Sequence, residues 1–446
     1  MQLEPAATNN PAPYGSEQDK RILYRKVGWR LLPILMVCYI LAYLDRQNVG
    51  FAKLEFMGDL GFSEAVFGLG GGLFYLGYCL FEVPSNLLLK KIGARATLLR
   101  IMVAWGLVAT LFAFMVTPNH YYLLRLFLGV AEAGFFPGIL LFISLWIPAS
   151  RRASFTALFM AAMPISGIIG SPVSGAIMEG MDGFWALKGW QWMFIIQGIP
   201  SCLMGIYVYL VLADSPAKAK WLNEREKEVI LGELEAEAAP SIDRPHKRLV
   251  DVIVDPKFYG LATMAITLLA CIAGLSLWMP SIIRASGVTN LFEVGLYAAI
   301  PSLLAIVCQQ LNARHSDRTG ERRWHAAIPT LMAAAGFACL PFASGNLPIA
   351  MACLSVISMG LLSSTGPYWT LPSSQFSGAA TAGGIAIVTT IGGFGAFAST
   401  WIVGVLNTVT GSTATGLWYF SALAFIGPVA MLISTRPSKA VSGQAK

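Results

Sequence analysis

Long apolar segments, each bounded by polar or charged residues, recur from one end of the chain to the other. A transmembrane helix needs about 20 mostly apolar residues, and about twelve segments of this chain meet that requirement. The pattern therefore predicts an all-α membrane protein with twelve transmembrane helices. The predicted spans are residues 29–52, 64–89, 95–117, 121–147, 154–177, 191–213, 257–281, 291–314, 325–344, 347–372, 377–406 and 413–434.

The charges of the loops between these spans alternate along the chain. Lysine and arginine are retained on the cytoplasmic side of a membrane, and one alternate set of loops holds almost all of them. An even number of spans also returns the chain to its starting side. Both patterns predict cytoplasmic termini in a multi-pass protein of the cytoplasmic (inner) membrane. The basic loops contain residues 20–30, 90–95, 151–152, 214–257, 314–323 and 436–439, whereas the opposite loops contain Lys53, Lys188 and Arg284.

A long charged stretch in the middle of the chain separates six predicted spans from six others. Short basic segments that contain glycine follow the second and the eighth span, Leu87–Arg95 and Ala313–Arg323, and predict two pseudo-symmetric halves. The central stretch is either a solvated connector, which we favour, or a surface helix over Lys218–Glu237. The predicted units are a disordered cytoplasmic tail (1–24), an N-terminal half (25–213), a cytoplasmic linker (214–256), a C-terminal half (257–435) and a second cytoplasmic tail (436–446).

Composition favours a membrane protein and argues against other classes. The chain is 56% hydrophobic and 12% charged, with a mean hydropathy of +0.63, whereas a soluble domain has about 25% charged residues. The net charge of +7 lies in the loops, so we expect a lipid bilayer and no nucleic acid as partner. The seven cysteines fall in apolar runs and the four histidines lack ligand spacing, so no metal is expected. No nucleophile has a paired base, so we expect no enzyme and no cofactor, with a proton as coupling ion.

The first span contains an acid and a base side by side, Asp45 and Arg46. If the helix ended at Leu44, its apolar stretch from Leu31 would hold 14 residues, which is too short to cross about 30 Å of hydrocarbon. A helix that continues to Ala52 is long enough, and the pair then lies inside the bilayer. The alternative is a frayed helix end in the headgroup region.

The fourth span carries a second base and acid, Arg125 and Glu132, seven residues apart. Seven residues make two helical turns, so these side chains point to nearly the same face. Each of the two spans is therefore predicted to carry its own ion pair. A charge at such depth costs about 2.5–3.5 kcal/mol and usually marks a substrate path or a proton relay. A purely structural ion pair is the alternative.

These four residues predict a coupling device. Burial favours the protonated form of a carboxyl group, whereas a neighbouring arginine favours its ionised form, so a buried acid can exchange protons when its partner changes. Arginine keeps its charge, but it can change partners and bind a substrate carboxylate through two hydrogen bonds. We therefore predict that Arg46 holds the substrate. Glu132 is predicted to carry the coupling proton, with the help of Asp45 and Arg125.

Aromatic and polar side chains complete the predicted site. The C-terminal half has few charges within its spans, so we expect it to contribute shape and hydrogen bonds. Glu82 lies within the second span towards the cytoplasm, and a gating or packing role is predicted for it. The aromatic candidates for the substrate pocket, each of which could instead be a packing residue or an interface anchor, are Tyr43, Tyr75, Tyr78, Tyr368 and Trp369.

Five short stretches carry a family resemblance. They are LDRQNVGFA (Leu44–Ala52), EVPSNLLLKKIGAR (Glu82–Arg95), LRLFLGVAEAGFFPG (Leu124–Gly138), LKGWQWMF (Leu187–Phe194) and HSDRTGERRWHAAIP (His315–Pro329). The chain resembles the major facilitator superfamily, and within it the anion:cation symporter family of phthalate, tartrate, hydroxyphenylacetate and sugar-acid permeases. The resemblance implies the major facilitator fold and proton-coupled uptake of a small organic anion by alternating access. In relatives, the positions that match Asp45, Arg46, Arg125 and Glu132 serve substrate and proton.

Two departures from the family pattern affect the predicted substrate and gates. Sugar-acid relatives often carry asparagines in the eleventh span, where this chain has Thr389 and Thr390, so an aromatic acid or a hydroxy or dicarboxylic acid is favoured. A hexonate or hexuronate symporter, and a membrane anion sensor that transports nothing, are the alternatives. The first cytoplasmic loop has Lys90 near the place of the family's aspartate, whereas the second loop keeps Asp317 and Arg318, the other predicted gating residues. We expect a functional monomer.

Overall fold

The computed structural model describes residues 17–238, 249–343, 345–375 and 380–435. Within these residues, twelve helical segments are long and apolar enough to cross a membrane. The predicted all-α fold with twelve transmembrane helices is therefore confirmed. Residues 1–16 and 436–446, which belong to the two predicted tails, lie outside the described part of the chain.

The first six spans consist of eight helices, because the fourth and the fifth span are each interrupted. The interruptions fall at Ala133–Gly134 and at Ala161. The helices are α1 (Glu17–Leu60), α2 (Glu64–Ile92), α3 (Ala94–Leu111), α4 (Pro118–Glu132), α5 (Phe135–Ser144), α6 (Ala149–Met160), α7 (Ala162–Gly180) and α8 (Gly189–Val211).

Two shorter helices separate the first six spans from the last six. The helix α9 (Glu224–Ala238) belongs to the linker, and α10 (Leu249–Val254) comes directly before the seventh span. Each of the last six spans is one helix. They are α11 (Pro256–Ala285), α12 (Leu291–Thr319), α13 (Arg323–Cys339), α14 (Leu347–Gln375), α15 (Ala380–Thr410) and α16 (Thr413–Ser434).

The first span does not end at its two charged residues. The helix α1 runs without a break from Glu17 to Leu60 and carries Asp45 and Arg46 in its interior. Asp45 is 1% exposed, which is incompatible with a position among lipid headgroups and water. The structure therefore agrees with a helix that continues through the pair, and the frayed-end alternative is wrong.

The beginning of α1 corrects the predicted extent of the first tail. The prediction of disorder up to residue 24 is wrong for residues 17–24, which form the first turns of α1. These turns are held by the linker helix α9. The Lys20 ammonium lies 2.7 Å from one carboxylate oxygen of Glu233, and the Tyr24 hydroxyl donates a hydrogen bond of 2.7 Å to the other. Partial burial opposes ionisation of Glu233, but the hydrogen bonds from Lys20 and Tyr24 outweigh it, so its pKa lies below the usual value.

The linker also differs from its favoured interpretation. A solvated connector is wrong for residues 224–238, which form α9 on the surface of the N-terminal half. Besides the contacts at Glu233, the Lys26 ammonium lies 2.8 Å from Glu226, and Arg152 donates to Glu237 at 3.0 Å. Acids at regular helical spacing thus face bases of α1 and α6, a complementarity between distant segments that the pattern of the linker alone does not show.

The two halves are joined at one end. We call the side of the membrane that carries α9 the linker side, and the opposite side the far side. A Cβ built on Gly68 would lie 2.8 Å from the Gly404 Cα, so glycines allow α2 and α15 to touch near the far side. Hydrogen bonds between the halves lie at the same end, and they join Ala65 with Thr408, Trp278 with Glu64, Arg284 with Leu54 and Leu291 with Glu179 at 2.8–2.9 Å.

Towards the linker side, the described hydrogen bonds between the halves become fewer and weaker. Within the described residues, the innermost hydrogen bond between them is a weak one, from the Cys79 thiol to the Thr390 carbonyl at 3.9 Å. No hydrogen bond between described residues joins the halves beyond this point. Among the described residues, the hydrogen bonds between the halves therefore lie on the far side and extend no further towards the linker side than Cys79.

Candidate functional site

Glu132 lies at the break in the fourth span. It is the last residue of α4, and α5 begins three residues later at Phe135. Gly134 has a φ of +84°, and a Cβ there would lie 2.6 Å from the Ser85 hydroxyl, so both backbone conformation and space require glycine. The break thus places a carboxylate that is 0% exposed at a helix end inside the bundle. Interrupted helices form the binding sites of many secondary transporters.

Arg46 is the ion-pair partner of Glu132. Its Nε donates a hydrogen bond to Oε2 at 2.6 Å, and its Nη2 lies 2.6 Å from the same oxygen. The second carboxylate oxygen, Oε1, is buried and accepts no hydrogen bond from the described residues. The side chain of Arg46 keeps 19% of its surface exposed, whereas that of Glu132 keeps none. The predicted ion pair within each span is therefore wrong, since the observed pair joins two spans.

Three aromatic rings surround the Arg46 guanidinium. Its central carbon lies 5.1 Å from the ring centre of Tyr43, 5.3 Å from that of Phe74 and 5.4 Å from that of Tyr78. Such contacts attract a cation to the ring face and orient it. The sequence singled out Tyr43 and Tyr78 but missed Phe74. The predicted Tyr75 packs edge-on against Phe74 at 5.2 Å.

Arg125 binds backbone carbonyls of α2. Its Nε and Nη2 donate hydrogen bonds at 3.2 Å to the carbonyl oxygens of Gly70 and Gly71. It is 2% exposed, and its Nη1 has no hydrogen-bond partner among the described residues. Its guanidinium carbon lies 5.0 Å from the centre of Phe74, the ring that also contacts Arg46. Phe74 therefore links the two arginines.

Asp45 is held by two neutral donors. Ser201 of α8 donates a hydrogen bond to Oδ2 at 3.0 Å, and the Asn48 amide donates to Oδ1 at 3.4 Å. Within the described residues no cation forms a salt bridge with this carboxylate. Arg46 is its neighbour in sequence but pairs with Glu132 instead. No sequence pattern marks Ser201, which is one of several serines within the spans.

The predicted aromatic residues of the tenth span do not join this group. Tyr368 is 0% exposed, and its hydroxyl donates to the Leu261 carbonyl at 2.7 Å, which fixes it between α14 and α11. Trp369 packs edge-on against Tyr368 at 4.9 Å. In this conformation, the Tyr368 hydroxyl is occupied inside the C-terminal half and does not face Arg46.

The predicted gating residues lie towards the linker side, beyond the last described hydrogen bond between the halves. Glu82 is partly buried on α2, three residues beyond Cys79, the last residue of α2 that bonds across the interface. In the other half, Asp317 forms an ion pair of 2.6 Å with Arg322, and Arg318 is exposed. These positions are compatible with contacts that form when the linker side closes.

A buried charge cluster closes the far side. The Lys53 ammonium lies 2.7 Å from Glu64, and the Trp278 indole donates to the same carboxylate at 2.9 Å. The Lys53 ammonium also lies 4.7 Å from the centre of Phe67 and 5.2 Å from that of Trp278. Because Trp278 belongs to the C-terminal half, this cluster ties the two halves together. The interpretation of Lys53 as a loop residue is therefore wrong.

A small cavity of about 70 Å³ lies between the halves. Helices from both halves line it, and its wall is apolar apart from a few amide and hydroxyl groups, among them Gln47, Ser276, Ser302 and Ser358. Serines in helices often bond to a carbonyl of the preceding turn. No hydrogen bond of these four side chains is formed with the described residues, so they are available to a ligand. Gln47 follows Arg46 directly and lies one turn after Tyr43.

Relatives that are described as transporters match this chain over nearly its whole length. A protein described as a tartrate transporter of Agrobacterium vitis is 44% identical over 425 residues, which cover 95% of this chain and 93% of the relative. The metabolite transport protein NicT of Pseudomonas putida is 38% identical over 426 residues, which cover 96% and 97%. The chain is thus a multi-pass membrane transporter and not an enzyme.

Residues 35–400 match the family model of the Major Facilitator Superfamily, and the chain belongs to that superfamily. The membership predicted from the sequence is confirmed. Among solved structures, the inward-open conformation of the xylose transporter XylE from E. coli superimposes with a TM-score of 0.74 at 15% identity. That match covers 93% of this chain and 98% of the other, and it supports the shared fold alone.

Proposed function

We propose that this protein is a proton-coupled symporter that takes up a small organic carboxylate by alternating access. The observation that carries the proposal is the Arg46–Glu132 pair, in which a partly exposed arginine is neutralised by a buried acid. An arginine bound to a carboxylate can exchange it for the carboxylate of a substrate. This exchange requires that the ion pair between Glu132 and Arg46 break, which happens when Glu132 is protonated.

Charge balance couples the proton to the substrate. In the empty site, the charges of Arg46 and Glu132 cancel. With a proton on Glu132 and one substrate carboxylate on Arg46, they cancel again, and a dicarboxylic acid keeps this balance only when its second carboxyl group is protonated. A proton without substrate, or substrate without a proton, leaves one uncompensated charge in a low dielectric, at a cost of roughly 3–5 kcal/mol. Only the empty and the doubly loaded carrier therefore change conformation easily, which is the condition for symport.

Orientation follows from the distribution of basic residues. Lysine and arginine predominate on the linker side, and we propose that this side is cytoplasmic. The conformation described here is then inward-open, with the Lys53–Glu64–Trp278 cluster sealing the external entrance. The chain is proposed to lie in the inner membrane and to work as a monomer, with Glu82, Asp317 and Arg318 in the gate that closes towards the cytoplasm.

The free hydroxyl groups of the cavity favour a hydroxylated acid. Arg46 binds the carboxylate, and the cavity that contains Gln47, Ser302 and Ser358 accepts the other end of the molecule. The name of the 44% identical tartrate transporter supports the same class, a hydroxy dicarboxylic acid. We propose tartrate as the first compound to test, with a sugar acid as the second candidate because it also carries hydroxyl groups.

The first prediction is accumulation of tartrate against its gradient when the outside is acidic. Purified protein in liposomes should concentrate labelled tartrate when the external pH is below the internal pH, because protons then enter with the substrate. A protonophore should abolish accumulation without abolishing equilibration. Equal uptake with and without the pH gradient would indicate a uniporter, and tartrate binding without flux would indicate a sensor. Gluconate and benzoate as competitors distinguish sugar acids and aromatic acids from tartrate.

The second prediction concerns Ser302. In the Ser302→Ala variant, the preference for tartrate over succinate, which lacks the hydroxyls, should fall about fivefold, because one hydrogen bond contributes about 1 kcal/mol. The measurement is competition of each acid with labelled tartrate. The matched control is Ser421→Ala, since Ser421 donates to the Ala334 carbonyl inside the C-terminal half. An unchanged preference in Ser302→Ala would remove this serine from the site.

A further inference from the structure

A groove of about 640 Å³ lies on the N-terminal half, away from the Arg46 site. It runs between the first turns of α1 and the helix α6. Basic and hydroxyl side chains line its linker-side end, and the remaining wall is apolar. The polar residues are Arg21, Arg25, Ser150, Arg151 and Ser154, and the apolar ones include Leu32, Pro33, Met36, Phe155 and Leu158.

Two of the three arginines at the groove are free to bind an anion. Arg21 and Arg25 are exposed, lie one helical turn apart on α1, and form no ion pair with the described residues. Arg151 has partners already, because it pairs with Glu17 at 2.6 Å and lies over the Tyr24 ring. The mouth of the groove therefore presents two unpaired positive charges, with the exposed hydroxyls of Ser150 and Ser154 beside them.

The depth of the groove matches one leaflet of a bilayer. Arg25 and Met36 are eleven residues apart on α1, which corresponds to about 16 Å along the helix. Half of a hydrocarbon core of about 30 Å has the same thickness. Trp29, which is 73% exposed, follows Arg25 by one helical turn, and tryptophan side chains are enriched at the headgroup level of membranes. Gly28 adds no side chain to the groove, and a Cβ there would already lie 3.0 Å from the Phe155 ring.

We propose that this groove binds one anionic phospholipid of the linker-side leaflet. The phosphate lies between Arg21 and Arg25, and one acyl chain follows Leu32, Met36 and Phe155 into the bilayer. Basic pockets between transmembrane helices on the cytoplasmic side recognise anionic headgroups in this way. A bound lipid would join α1 to α6, so it should stabilise the folded carrier. None of these residues belongs to the Arg46 site, so the proposal stands independently of the transported substrate.

Thermal unfolding in detergent tests the proposal. Dioleoyl phosphatidylglycerol, added to purified protein in a neutral detergent, should raise the Tm more than dioleoyl phosphatidylcholine does. The double variant Arg21→Gln/Arg25→Gln should need about 30-fold more phosphatidylglycerol for the same rise, since each arginine near an anionic headgroup contributes about 1 kcal/mol. The control is Arg314→Gln, which removes an exposed arginine without an ion pair among the described residues from the linker-side end of α12. This variant should respond like the wild type.

Two further measurements distinguish binding of a whole phospholipid from binding of a phosphate group alone. Soluble glycerol phosphate should leave the Tm unchanged, because it lacks the acyl chain that fills the groove. Native mass spectrometry should detect one retained phosphatidylglycerol on the wild type and on Arg314→Gln, and none on the double variant. The proposal is overturned if glycerol phosphate reproduces the shift, if phosphatidylcholine is equally effective, or if the double variant retains the lipid.

Discussion

Glu132→Gln is expected to abolish proton-driven accumulation of substrate while exchange of substrate across the membrane survives. Glutamine has nearly the shape of protonated glutamate, so the variant resembles a carrier that is permanently loaded with the coupling proton. Arg46 loses its ionised partner and remains free to bind a carboxylate. Substrate can then cross in both directions, but no proton accompanies it, so a pH gradient no longer drives its concentration.

The measurement uses two assays on the same liposomes. Accumulation under an inward proton gradient should fall to the level seen with a protonophore, and counterflow from liposomes preloaded with unlabelled tartrate should continue. Glu228→Gln is the control, because Glu228 is exposed on α9 and the substitution removes the same charge outside the bundle. Gradient-driven accumulation by Glu132→Gln would refute the role of Glu132, and loss of both activities would indicate a structural role. Asp45→Asn, tested in parallel, shows whether the second buried acid carries the proton instead.

The architecture was accessible from the sequence because its determinants are local. A transmembrane helix is recognised by length and apolar content within its own span, and all twelve were predicted on that basis. The length argument at Leu44 also predicted that α1 continues through Asp45 and Arg46, which the structure agrees with. This length argument needed only the thickness of the bilayer and the free-energy cost of burying a charge.

The pairing of the buried charges was not accessible in the same way. A helical repeat relates only residues on the same helix, so it predicted an ion pair between Arg125 and Glu132 of the fourth span. The observed partner of Glu132 is Arg46 of another helix, and the rotation of α1 against α4 is not encoded in either segment alone. Arg125 turns instead to the Gly70 and Gly71 carbonyls.

Contacts between distant parts of the chain escaped prediction for a related reason. The polar wall of the cavity includes single serines on three helices of the C-terminal half, and no one helix shows a pattern that marks its serine. The docking of α9 likewise depends on acids of the linker and bases near the N-terminus, about 200 residues apart. Residue types identified the chemistry in these cases, but only the packing of the helices shows which groups meet.

Arg46→Lys is expected to weaken substrate binding by about 10–100-fold and to reduce accumulation and counterflow together. A lysine keeps the positive charge that Glu132 requires, so the empty site stays neutral. It is a point charge on a flexible chain, however, and cannot form the two parallel hydrogen bonds that a guanidinium makes with a carboxylate. A charged hydrogen bond contributes about 1.5–3 kcal/mol, which corresponds to the expected loss in affinity.

A decrease in both accumulation and counterflow distinguishes the role of Arg46 from that of Glu132, because Glu132→Gln is expected to keep counterflow. Binding is measured as the rise in Tm on addition of tartrate, and Arg314→Lys is the control for the same substitution at an exposed site. Because a damaged bundle would also lose binding, the double variant Arg46→Gln/Glu132→Gln provides a second test. It removes both charges of the pair, so no buried charge is left uncompensated, and it should unfold cooperatively near the wild-type Tm without responding to tartrate. Normal tartrate binding by either variant would show that another residue holds the substrate carboxylate.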